Sequence, residues 1–127
     1  MKLHIEFTRQ PVVPPVAVLA SKEIGAQAEF SGIVRELENG RGISGLFYEA
    51  HEPMARKELE KIFTGISSAH PFEAAWLIHR LGFVPVGEVS LFIRVQSQHR
   101  QAALQMIATL IDRLKADVPV WKSAARS

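Results

Sequence analysis

The sequence predicts a mixed α+β fold with a largely antiparallel sheet and two main helices. Three observations carry this. Apolar and polar residues alternate with period two in several segments, two other segments switch to a helical period, and a hairpin-type turn joins two of the strand segments.

Residues 2–8, KLHIEFT, alternate as a half-buried strand does. The PVVPP run that follows is a loop, and Pro15 is expected to open a short helix, VAVLASKEI, that stops at Gly25. AEFSGIVRE reads as a strand carrying Arg35. ENGRG at 38–42 is a turn signal, and ISGLFYEAH is the returning strand of a hairpin. From Pro53 the period changes, and Met54, Leu59, Ile62, Phe63 and Ile66 fall on one helical face. AAWLIHRLG is again a strand, ending at Gly82, and VPVG is a connector. EVSLFIRVQ sets Val89, Leu91, Ile93 and Val95 on one face and Ser90, Arg94 and Gln96 on the other. A helix over 98–116 carries Ala103, Met106, Ile107, Leu110, Ile111 and Leu114 as its apolar stripe, and VPVWK follows as a short extended piece.

At 127 residues the chain is expected to form one domain, spanning 1–127, with a core that needs no metal or disulfide staple. There is no cysteine, so any sulfur chemistry must use sulfur delivered from elsewhere. No basic n-region precedes a long apolar core, and no apolar run approaches membrane-spanning length; a cytoplasmic protein is expected.

Charge is distributed unevenly. Residues 1–89 hold nine Lys/Arg against eleven Asp/Glu, whereas residues 90–127 hold six against two. The basic end suits a small anion or a negatively charged partner tail. Nucleic acid is excluded as the main partner, because the basic residues are few and not interleaved with stacking aromatics. His4, His51, His70 and His79 lack metal-ligand spacing, and no P-loop, G-x-G-x-x-G or G-x-S-x-G elbow is present. No metal or cofactor is expected.

The stretch from Ser97 to Lys122 concentrates the remaining chemistry. Lys115 falls in the last turn of the second helix, where the helix dipole favours a cation, and Lys122 follows shortly after. Two such amines brought together repel, and the less solvated one becomes a usable nucleophile or general base; helix-end lysines are also commonly just solvated. A cation in the first turn, as with His99 and Arg100, costs ~0.3–1 kcal/mol unless an anion sits there. His99 and Arg100 are thus candidates for gripping a phosphate or carboxylate, with Arg35 able to join them or merely to balance Glu36 and Glu38. Phe30 either lines a flat pocket or packs in the core, and Trp121 is expected to pack the end of the chain, or to pack against a partner. Arg100 and Lys115 are fifteen residues apart, which on a helix is roughly 22 Å. If both serve one site, a symmetric dimer is required, each pocket borrowing its neighbour's helix start.

Seven segments, in order and in register, carry a resemblance: FSGIVR (30–35), LFYEAHEPMA (46–55), IHRLG (78–82), VGE (86–88), SQHR (97–100), IDRLK (111–115) and VPVWK (118–122). From about Gly25 to Lys122 the chain resembles the large, catalytic subunit family of molybdopterin synthase. That resemblance implies an α/β-hammerhead fold and a homodimer flanked by two small ubiquitin-like subunits, together a heterotetramer. It implies sulfur transfer from the C-terminal Gly-Gly thiocarboxylate of the small subunit to cyclic pyranopterin monophosphate, forming the molybdopterin dithiolene. By position it makes Lys115 the principal catalytic lysine and Lys122 its helper. Arg35, His99 and Arg100 fall on the pterin-phosphate pocket, with Ile33 and Val34 as one wall. Ser123 and Ala124 continue the substrate-binding segment, where family members usually carry a basic residue and then Glu. That departure leaves a second reading, a non-catalytic paralogue that binds the small subunit or a pterin as a scaffold.

Overall fold

The computed structural model describes residues 2–126, in the order β1 (Lys2–Thr8), β2 (Ala26–Ile33), β3 (Leu37–Glu38), β4 (Arg41–Ala50), α1 (Glu52–Ser67), β5 (Ala74–Arg80), β6 (Gly82–Pro85), β7 (Val89–Ser97), α2 (Arg100–Asp117) and β8 (Val120–Arg126). One sheet runs β1-β5-β7-β2; the other is built on β4, which pairs with β3, β6 and β8. Only the β1–β5 pairing is parallel among the described residues, so the expected largely antiparallel α+β architecture is present.

Both helices cover one face of the first sheet. Leu59, Ile62, Phe63 and Ile66 of α1 meet Met106, Leu110 and Leu114 of α2 over Leu77 of β5 and Ile93 and Val95 of β7. Each large side chain buried there contributes about 1.5–3 kcal/mol relative to exposure. A smaller cluster, Val34, Ile43, Leu46 and Val84, fills the second sheet. The turn expected at 38–42 is present, Asn39 and Gly40 both taking positive φ, 53° and 77°, as a type I′ turn between paired Glu38 and Arg41 demands. The expected partner strand is not, since β2 ends at Ile33, short of Arg35, and pairs with β7, leaving only Leu37–Glu38 against β4.

Four further expectations are corrected. Residues 16–24 are not helical but form an irregular strap across the outer face of β7. The strap's backbone partners are side chains of the sheet: Arg94 donates to the Pro15 carbonyl at 2.8 Å, Gln96 Nε2 donates to the Val18 carbonyl at 3.0 Å, and Gln96 Oε1 accepts from the Ala20 N–H at 3.0 Å. A helix would need those same groups internally, and the valines of this segment add little helix propensity to compensate. For the same reason β7 is not half apolar and half solvated. Arg94 and Gln96 are buried beneath the strap, Gln96 completely, and Ser90 is buried where it donates to the Gly32 carbonyl of β2. Met54 stands outside the α1 stripe, 53% exposed, because it precedes Ala55 by one position, about 100° around the helix. Finally, the strand expected to end at Gly82 ends at Arg80, the expected connector VPVG (84–87) begins inside a separate strand, β6, and the closing extended piece continues as β8 along β4 to Arg126.

Candidate functional site

Where the two sheets meet the end of α2 there is a cleft of about 540 Å³. Its parts come from distant stretches of chain. The register of β2 slips between Gly32 and Ile33, a bulge that ends the strand and redirects the backbone. Val34 turns inward, anchored by backbone hydrogen bonds to Glu88 and Gly87, while Arg35 stays exposed on the cleft wall with Phe30 and Ile33. Phe30 meets both of its expectations, packing against the core while lining the cleft.

The last turn of α2 brings Ile111, Leu114 and Lys115 to the opposite side. The helix then stops at Asp117 because Pro119 cannot continue it, and the chain reverses into β8. That reversal delivers Trp121 and Lys122 to the same cleft. Trp121 is 60% exposed on its rim and does not pack the end of the chain, contrary to the first of its two expectations. Lys122 Nζ lies 3.2 Å from Glu38 Oε1, a half-exposed ion pair, whereas Lys115 and Arg35 form no ion pair among the described residues. Lys115, Lys122 and Arg35 thus face one space with a single partnered carboxylate between them.

The structure brings together Phe30, Ile33, Val34, Arg35, Lys115 and Lys122. It places the other four candidates elsewhere. Ser123 and Ala124 continue β8, opposite Phe47 and Leu46, exposed and outside the cleft lining. His99 and Arg100 sit at the far end of α2, in a separate recess with Gly25, Gln98 and Gln101. There the N-cap His99 makes no side-chain capping bond, and no acidic residue occupies the first turn. Its N–H groups and two basic side chains face outward together, the arrangement that favours an anion. Gly25 makes this recess possible, since a β-carbon on it would lie 2.3 Å from the Gln98 carbonyl oxygen.

Among the polar cleft residues, Glu38, Tyr48 and His79 are not sequence candidates, although each falls in a segment already noted, ENGRG, LFYEAHEPMA or IHRLG. Tyr48 stands directly opposite Lys122 across the β4–β8 ladder, and its ring meets that of His79 edge-on at 5.0 Å. His79 is only 3% exposed. Burial pulls its imidazole below the ordinary histidine value of 6.5, against the opposing effect of its hydrogen bond to the Arg80 carbonyl. The one signal in sequence was a histidine at a strand position whose face is otherwise apolar.

The fold is thus an α+β protein with a cleft lined by Arg35, Lys115 and Lys122 at the junction of a helix end and two sheets. The chain belongs to the MoaE protein family, whose pattern matches residues 8–117. It is 40% identical over 121 residues to the molybdopterin synthase catalytic subunit of Homo sapiens, covering 95% of this chain and 61% of that protein. The crystal structure of molybdopterin synthase from Staphylococcus aureus superposes with a TM-score of 0.83 at 29% identity, covering 96% of this chain and 90% of that one. A complex of subunits 1 and 2 of molybdopterin-converting factor from Helicobacter pylori matches with a TM-score of 0.68 at 28% identity, over 81% and 67% of the two chains. This chain spans between about one third and about two thirds of the length of the curated relatives it matches.

Proposed function

We propose that this chain acts, in the cytoplasm, as the catalytic subunit of a molybdopterin synthase. It transfers sulfur from the thiocarboxylated C-terminal Gly-Gly of a small ubiquitin-like subunit to cyclic pyranopterin monophosphate. In each transfer the thiocarboxylate sulfur bonds to a side-chain carbon of the pterin as a C–O bond of that carbon breaks, its oxygen leaving with the phosphate or as water. Water then hydrolyses the resulting thioester, so that the acyl C–S bond breaks and the tail leaves as a carboxylate. Two such transfers build the dithiolene. A chain without cysteine fits this role, because the sulfur arrives on the partner.

The observation that carries the reading is that Lys115 and Lys122, from different elements, line one cleft with Arg35. A thiocarboxylate, a phosphate and the oxyanion of a tetrahedral intermediate are all anions, and a cleft of this charge favours each of them. Lys115 works at the junction of tail and pterin, as nucleophile or as acid–base group, and Lys122 supports it. His99 and Arg100 belong to the pterin-phosphate pocket, but along a helix they lie roughly 22 Å from Lys115. The assembly is therefore a homodimer flanked by two small subunits, with each cleft completed by the neighbour's helix start. The unusual Ser123 and Ala124 lie off the cleft lining, so they leave its amines in place, which favours an active enzyme over a scaffold.

A single-turnover assay with thiocarboxylated small subunit and cyclic pyranopterin monophosphate tests this. Sulfurated product should form with the wild type and vanish with Lys115→Ala. Tight binding of the small subunit without any turnover by the wild type would instead favour the scaffold.

A further inference from the structure

We propose that His79 is a ligand-binding residue of the cleft, its Nε2 accepting a hydrogen bond from an N–H donor on the edge of the bound heterocycle. This rests on the reading of the cleft as a pterin site and adds to it the orientation of the ring.

The argument begins with the strand. Alternate residues of β5 face the helices, and Ala75 and Leu77 lie in the apolar core on that face. His79 occupies the next such position, beyond the cover of α1 and α2, where the face opens into the cleft. An apolar side chain there would extend the core, and an imidazole is costly to bury without partners. Only one of its nitrogens has a partner. His79 Nδ1 lies 2.8 Å from the Arg80 carbonyl oxygen, which can only accept, so Nδ1 carries the proton. Phe7, stacked at 6.5 Å between centroids, and Tyr48, edge-on, hold the ring in this orientation. Nε2 is then left with a bare lone pair and no hydrogen bond among the described residues. Burial keeps the ring neutral, so the lone pair is not lost to a proton.

Lys115, Lys122 and Arg35 are donors on the exposed side of the cleft, where Glu38, the one carboxylate lining it among the described residues, already has Oε1 paired with Lys122. His79 Nε2 adds a neutral acceptor on the buried side. A ligand with anionic groups at one end and N–H donors at the other is therefore sorted end for end. The anions face the cations at the rim, and the donors face His79. A pterin phosphate has this polarity, because its pyrimidinone amide and exocyclic amine are N–H donors.

The test uses the full chain labelled with ¹⁵N-histidine and titrated with dihydroneopterin monophosphate. In the wild type the Nε2 resonance, assigned through the retained Nδ1–H of the same ring, should start at an unprotonated shift and move upfield on binding. His79→Phe should bind the probe about tenfold more weakly, the loss expected when one buried donor goes unpaired. A wild type that binds no pterin phosphate overturns the pterin reading itself. A wild type that binds with the Nε2 resonance unmoved overturns the role of His79 alone, and needs no variant to do so. Equal affinity in a folded His79→Phe chain has the same force.

Discussion

Replacing Gln96 by Leu should detach the strap while leaving the sheet intact. Gln96 is completely buried and makes three side-chain hydrogen bonds: from the Ala20 N–H, to the Val18 carbonyl and to Gln27 Oε1. At about 1 kcal/mol net for each, their loss removes roughly 3 kcal/mol. The leucine returns about 1 kcal/mol through its own burial, a fraction of its full transfer value because the strap that would cover it has loosened. The released groups of Ala20 and Val18 find water once the strap lifts, so no further penalty for unpaired polar groups accrues. A net destabilisation of about 2 kcal/mol follows. With a slope of ~1.5–2 kcal/mol/M for a chain of this size, the urea midpoint should fall by about 1 M. Trypsin should also cut faster after Lys22, which lies in the strap. An unchanged midpoint together with unchanged protection of Lys22 would refute the idea that Gln96 holds this segment down.

Other outcomes follow from the same structure. Gly25→Ala should cost about 1–3 kcal/mol through overpacking against the Gln98 carbonyl, and should weaken phosphate binding in the recess at the start of α2 while sparing the lysine cleft; calorimetric titration with inorganic phosphate checks it. Because His79 binds its proton less readily folded than unfolded, the unfolded state holds more protons below the ordinary value of 6.5. Stability should therefore fall on acidification from pH 6.5 downward, by at most about 1.4 kcal/mol per pH unit from this group. Urea midpoints in His79→Phe should show a shallower acid decline than in the wild type. Co-expressed Arg100→Ala and Lys115→Ala chains should regain part of the activity that each lacks alone, since a mixed dimer contains one unimpaired cleft; assays of purified mixed dimers that show no recovery would argue against shared sites.

Much of this was legible in the chain itself, and the failures have physical causes. The stripes of both helices and the turn at Asn39–Gly40 follow from periods and turn signals that local sequence encodes, whereas a shared site for Arg35 and Lys115 is implied only by the resemblance, because their meeting depends on long-range packing. The strap was misread because its backbone partners, Arg94 and Gln96, lie more than seventy residues away, and nothing between Pro15 and Gly25 announces them. The same remote contact buries Arg94 and Gln96 on the polar face of β7. His79 escaped notice as a cleft residue for a related reason: a lone histidine on a strand becomes informative only when the nearby Phe7 and Tyr48 rings and the cleft are visible. Lys122 is a candidate from its place shortly after α2, yet its position opposite Tyr48 depends on a β4–β8 pairing that no local pattern specifies.

Helix α2 has a basic recess at one end and the cleft residue Lys115 at the other, with an apolar stripe packed in the core between. It therefore behaves as a gauge whose length cannot drift. Inserting one residue in its middle would swing Lys115 by about 100° and advance it ~1.5 Å, away from the cleft, while leaving the recess where it was. Single-residue insertions or deletions should consequently be far less tolerated within this rod than in the exposed hairpin tip at Asn39–Gly40, where nothing is being measured.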